Sequence, residues 1–131
     1  MKPLLLDEGL YPQVATALRK VEWPAVAVGQ EAEGAPPRSS GDGGDAVNVR
    51  WCKDHSSVLV TNDRGKKDKK IGDLLAQDHV HAIFVHPDLR DGPPHRLLSA
   101  LLASETKIDW HVDHNDLLRH RLRVGGGLTK R

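Results

Sequence analysis

Two short apolar runs of this chain end in acid. Residues 58–63 read Val-Leu-Val-Thr-Asn-Asp, and residues 3–8 read Pro-Leu-Leu-Leu-Asp-Glu. A short apolar run bounded by polar residues is how a buried parallel strand reads. In open α/β sheets, ligands bind beyond the carboxyl ends of the strands, so Asp7, Glu8 and Asp63 stand where a site belongs. Asp45 joins them at the start of a helical pattern that opens with Gly43-Gly44. Asp68 follows Asp63 closely, with Asp73 in reserve. Crowded carboxylates repel one another and must either protonate or bind a cation. Oxygen donors without a Cys or His constellation suit Mg2+ or Mn2+. Such an ion beside a phosphodiester activates water and stabilises the attacking and leaving oxygens. Cations for the polyanion lie alongside. Residues 64–70 hold five basic residues, Arg64, Lys66, Lys67, Lys69 and Lys70, against one acid, and such a run fits RNA binding. Each feature also has a plain structural reading. Asp7 and Glu8 suit the start of the helix that follows, Asp45 suits an N-cap, and the basic run suits a solvated helix start. Capping does not explain why the acid recurs at Asp63.

The elements that must position these acids follow from periodicity. Residues 3–6, 25–28, 56–61 and 82–85 read as strands. Leu10, Val14, Ala17, Leu18 and Val21 share a helical face, as do Leu97, Leu98, Leu101 and Leu102. Further helices are expected over residues 45–54 and 71–76. Strands alternating with helices imply a parallel sheet covered on both faces, and right-handed crossovers would bring Asp7 and Asp63 to one edge. Residues 29–44, rich in Gly, Pro, Ser and Glu, read as a mobile loop. Residues 108–112 are expected as a fifth, edge strand. The domain then closes at residue 112, and residues 113–131 form a basic C-terminal arm and tail, with residues 125–131 free.

Leu4-Leu5-Leu6-Asp7-Glu8 with an amphipathic helix behind it, then Asp45, then Val58-Leu-Val-Thr-Asn-Asp63, resembles the short PIN-like domains. These include relatives of the VapC-type toxin ribonucleases. The resemblance covers residues 1–85 and rests on three short motifs in order. It implies a three-layer α/β/α sandwich around a central parallel sheet of four to five strands. It also implies a metal site of Asp7, Asp45 and Asp63, with Glu8 and Asp68 assisting catalysis. The implied activity is Mg2+- or Mn2+-dependent endoribonucleolytic hydrolysis of RNA, in the setting of a toxin with an antitoxin partner; a homodimer is a further expectation. The sequence departs from the family at Gly9, where an asparagine is usual, and at Arg64-Gly65, where Asp-Phe is usual. Those departures favour the alternative, a catalytically inactive PIN-like protein-interaction module.

Composition bounds the rest. With 131 residues, 38% hydrophobic, the chain fits one domain. Its single cysteine, Cys52, excludes an internal disulfide and suits a reducing compartment. No apolar run has the length of a membrane span and no signal peptide opens the chain, so a cytoplasmic protein is expected. The histidine pairs His111/His114 and His79/His81 lack the four convergent ligands of a zinc site; His79 and His81 read as surface residues flanking the fourth strand. A Cys52–His55 pair lacks an orienting third group. Gly125–Gly127 lie in the tail, not between strand and helix as a phosphate-binding loop requires.

Overall fold

The chain is described here from a computed structural model covering residues 1–39, 44–114 and 117–131. Part of the expected 29–44 loop, residues 40–43, therefore lies outside the described residues. The fold is mixed α/β, with helices flanking a sheet. Six strands run in the order β2-β1-β3-β4-β5-β6. They are β1 (Leu4–Leu6), β2 (Ala25–Ala27), β3 (Val58–Asn62), β4 (Ala82–Val85), β5 (Arg119–Leu122) and β6 (Leu128–Lys130). All neighbours are parallel except β5 and β6, which form an antiparallel edge. The helices are α1 (Pro12–Lys20), α2 (Gly44–His55), α3 (Lys69–Asp78), α4 (Pro87–Arg90) and α5 (Pro94–Asp113).

Side chains alternate across the strands, and the alternation builds two cores. Leu4, Leu6, Val58, Val60, Ile83, Val85 and Leu122 pack with Val14, Ala15 and Leu18 of α1 and with Leu97, Leu101 and Ile108 of α5. Leu5, Leu59, Ala82 and Phe84 face the other way, onto Val49 and Cys52 of α2 and Ile71 and Leu75 of α3. Because both faces are covered, the central strands are apolar throughout, which is what made them readable. Cys52 is a buried core residue, and burial pushes its thiol pKa up, away from the thiolate form that a nucleophile needs.

The C-terminal third departs from expectation. Residues 108–112 belong to α5, with Ile108 buried one turn beyond Ser104. The fifth strand is β5, and the segment expected as a free tail turns back through Gly126 and Gly127, both at positive φ, to form β6. The sheet thus has six strands with one antiparallel pair, not four or five parallel ones. His81, expected at the surface, is half-buried, and its Nδ1 accepts the Leu118 N–H at 3.0 Å, which pins the chain as it enters β5. Among the described residues no helix is long and apolar enough to cross a membrane.

The opposite edge is closed by side chains. Along β2, the outward Ala27 N–H is taken by Gln30 Oε1 at 3.0 Å, and Arg19 Nη1 donates to Ala25 O at 2.7 Å and to the same Gln30 oxygen at 2.9 Å. An edge whose groups are already bonded does not template another strand. Replacing Gln30 with Leu removes the acceptor shared by the Ala27 N–H and Arg19, and with it the bonds that the Gln30 amide donates to Pro12 O and the Thr16 hydroxyl. It is expected to lower unfolding free energy by about 1–3 kcal/mol, read as a lower urea midpoint, and to raise the light scattering of the refolded protein.

Candidate functional site

Strand order places the site. The chain leaves β1 toward β2 on one side, while β3 leads to β4 on the other, so the connections diverge between the carboxyl ends of β1 and β3. A crevice at such a point is where open α/β sheets bind ligands. Here it is a polar cleft of about 350 Å³ lined by Asp7, Glu8, Asp45, Asn48, Arg64, Lys67 and Lys70, with Ser39 and Gly44 at its margin.

Asp7 ends β1 and turns inward. It is buried; its Oδ2 accepts the Thr61 hydroxyl at 2.7 Å, and its Oδ1 accepts the Asn48 amide at 3.0 Å and the Glu8 N–H at 2.7 Å. Burial raises its carboxyl above the ordinary carboxylate range; the Thr61 hydroxyl and Glu8 amide pull the other way, and the nearby Asp45 charge adds to the rise. The threonine of the Thr-x-Asp motif therefore serves Asp7. Asp7 and Glu8 do not cap the following helix, since α1 has no side-chain cap and no acid in its first turn. Gly9 follows at φ +86°, where a Cβ would lie 3.1 Å from Asn62 Nδ2. Glu8 points along the rim and accepts the Ser39 N–H at 2.8 Å. Asp45 lies in the first turn of α2, where the helix dipole favours an acid.

Asp63, at the end of β3, has a different environment. Its Oδ1 accepts the Gly65 N–H at 3.0 Å and Arg131 Nη2 at 2.9 Å, and its Oδ2 accepts Arg121 Nε. Arg131 Nη2 also bonds Asp68, and the Arg131 guanidinium lies 3.7 Å over the Phe84 ring. Asp68 accepts the Arg64 N–H at 2.8 Å and Arg64 Nε at 3.2 Å, and Arg64 reaches on to Asp45 at 3.5 Å. Burial alone would raise the Asp63 carboxyl. The Arg131 hydrogen bond, the Gly65 amide and Arg121 outweigh it and hold the group down at about 2.

The expected metal centre is therefore not formed. Asp7 and Asp45 share the cleft, but Asp63 and Asp68 are turned to arginines. Among the described residues no three or more His, Cys, Asp or Glu side chains converge so as to hold a metal ion. Lone pairs that a divalent ion would need are occupied by guanidinium, hydroxyl and amide donors, so the donor set does not fit Mg2+ or Mn2+. The readings of Asp7, Asp45 and Asp63 as metal ligands, and of a Mg2+- or Mn2+-dependent ribonuclease in which Glu8 and Asp68 assist, are corrected accordingly. Asp73 is not among the cleft-lining residues; it lies near Arg119.

Of the basic run, Arg64, Lys67 and Lys70 line the cleft, while Lys66 and Lys69 are exposed outside it. Three participants escaped the sequence reading. Asn48 had a signal, because it lies three residues after Asp45 on the same helix. Arg121 and Arg131 had none beyond the basic composition of their segment, being 58 and 68 residues from Asp63. Comparison with known protein families, with curated proteins and with solved structures gives no match.

Asp7 and Asp63 titrate in opposite senses. The Asp63 pKa is lower folded than unfolded, so its contribution of about 2 kcal/mol is present above pH ~4 and is lost as pH falls toward about 2. Asp7 has a raised pKa, so its ionised form opposes folding at neutral pH. Urea unfolding at neutral pH should therefore show Asp63→Asn destabilised and Asp7→Asn unchanged or stabilised. The Asp63 variant should also lose part of the stability decline below pH 4.

Proposed function

We propose that this chain is a protein-interaction module, a catalytically inactive PIN-like domain whose cleft receives a polypeptide segment carrying charges of both signs. The observation that carries this reading is the engagement of Asp63 and Asp68 by Arg64, Arg121 and Arg131. A guanidinium is a fixed cation that neither exchanges water nor lowers the pKa of a bound one. An edge fastened in this way has no apparatus for hydrolysing a phosphodiester.

The wall of the cleft supports a mixed-charge partner. Asp7, Glu8 and Asp45 face Arg64, Lys67 and Lys70 across about 350 Å³. A uniform polyanion such as RNA would meet three acids there. A peptide offering a basic side chain to Glu8 and Asp45, and a carboxylate to Lys67 and Lys70, meets complementary charge on both sides. Neither lysine forms an ion pair among the described residues. The Asp-Glu-Gly9 and Arg64-Gly65 departures agree with a PIN-like chain that has given up hydrolysis, and an antitoxin-like peptide is one partner of the required chemistry.

The test pairs a binding assay with a cleavage assay. Labelled protein is applied to an array of dodecapeptides of varied charge pattern, beside a Glu8→Gln/Asp45→Asn variant and a Lys67→Gln/Lys70→Gln variant. Peptides bearing both signs should be retained, and each double variant should weaken retention about tenfold. Single-stranded RNA should remain intact with Mn2+ and with EDTA. Retention of RNA alone, indifferent to Glu8 and Asp45, would replace the peptide partner with a nucleic acid. Metal-dependent cleavage abolished by Asp63→Asn would overturn the reading altogether.

A further inference from the structure

A second cavity of about 350 Å³ opens at the same edge of the sheet, beyond β4, and is lined by His86, Arg121, Arg123, Val124, Gly125 and Thr129. Its composition differs from that of the cleft, because no carboxylate lines it. The nearest acid on the His86 side is Asp88, 3.8 Å from His86 Nδ1 and largely exposed to solvent. On the Arg121 side, Asp63 takes the Nε of Arg121 and shares itself with Arg131, which also bonds Asp68; neither carboxylate lines the cavity. Arg123 adds another cation and forms no ion pair among the described residues. The lining itself thus carries two guanidiniums, Arg121 and Arg123, and no carboxylate, with the Nη nitrogens of Arg121 bonded to nothing among the described residues.

The cavity is held in shape before anything enters it. Its outer wall is the turn between β5 and β6, where the Arg123 N–H donates to Gly127 O at 3.0 Å and the Gly126 N–H donates to Arg123 O at 2.9 Å. The Gly127 N–H donates to the Ser104 hydroxyl at 2.8 Å, and that hydroxyl donates to Ala100 O at 2.8 Å, fastening the turn to α5. Gly126 is required at this place: a Cβ there would stand 2.7 Å from the Ala103 Cβ. Thr129 lies opposite Arg121 in the β5–β6 register and lines the same wall. The glycine run thus sits in a rigid hairpin turn beside two arginines.

We propose that this cavity is a binding site for a phosphate monoester dianion. The lining supplies donors and no acidic acceptor, and guanidinium forks match phosphate oxygens bidentately. Two guanidiniums with no acid in the lining suit a dianion better than a single carboxylate. The chemistry is that of a phosphoryl group; free phosphate, a nucleotide and a phosphorylated side chain all present it. The site stands apart from the peptide cleft and does not depend on it.

The experiment is a chemical-shift titration of isotope-labelled full-length protein with inorganic phosphate, adenosine 5′-monophosphate and O-phosphoserine, with acetate as the monoanion control. Saturable shifts of the Gly125 and Gly127 amides are expected with the phosphate probes and not with acetate. Arg123→Gln should weaken binding about tenfold and Thr129→Val by a smaller factor, each with an unchanged melting temperature. Lys66→Gln, which removes an exposed cation outside the cavity, should leave binding unaltered. Tighter binding of the nucleotide or of phosphoserine than of free phosphate supports the site and identifies its source. No saturable shift with any phosphate probe, or an equal loss in Lys66→Gln and Arg123→Gln, would overturn the proposal.

Discussion

The carboxyl edge of this sheet depends on one guanidinium. Arg131 bonds both Asp63 and Asp68 and stands over the ring of Phe84 in β4, whose side chain is fully buried. Two carboxylates at 6% and 3% exposure have lost most of their hydration. Such ions are retained only where opposite charge and hydrogen bonds replace the lost water. Arg121, Arg64 and the Gly65 amide complete that replacement, and the aromatic face beneath contributes a cation–π contact. The arrangement also has a mechanical result. β6 pairs only with β5, and Arg131 joins Arg121 in fastening the C-terminal hairpin to the end of β3.

The two aspartates that end apolar strands therefore diverge. Asp63 has cations for neighbours and stays ionised far into acid. Asp7 has a hydroxyl, two amides and another acid, and burial acts on it against those bonds. Groups that looked equivalent in the chain are opposite in electrostatics, because the sign of a pKa shift is set by what folds against the carboxylate. An acidic constellation of the kind that holds a divalent ion needs its members equivalent and their lone pairs open. Here one is enclosed by neutral donors and another by arginines.

Much of the fold was legible because β1, β3 and β4 are buried on both faces and read as unbroken apolar runs. The expected helices fall on α1, α2, α3 and α5, whose apolar residues recur at helical spacing. β5 was not legible. Its Arg-His-Arg-Leu alternates, with Arg119 and Arg121 on the α3 side and His120 and Leu122 toward α5, but three polar residues in four hide a strand whose polar side chains meet charge instead of apolar core. Residues 108–112 misled in the opposite sense. Ile-Asp-Trp-His-Val alternates like a strand, yet Ile108 continues the buried stripe of Leu97, Leu101 and Ser104, and a 20-residue helix overrides the local pattern. The acids of the site were legible as acids. Their partners were not, because a pairing across 58 or 68 residues leaves no periodic trace near either member.

The resulting edge carries two cavities of comparable size and unlike charge, and one network separates them. On one side the cleft keeps three acids against three cations; on the other, the hairpin cavity keeps cations alone. Asp63 and Asp68 account for the difference. By binding Arg64, Arg121 and Arg131 they fix where each guanidinium sits, so that Arg64 faces the cleft and the free end of Arg121 faces the hairpin. A metal at the same carboxylates would have drawn the acids together and left the arginines to solvent. Arginine instead distributes the charge outward from a buried centre and holds two differently charged surfaces in fixed relation. The difference is geometric: the Arg131 Nη2 amino group serves Asp63 and Asp68 together, while a spherical ion requires carboxylate oxygens to converge on one point.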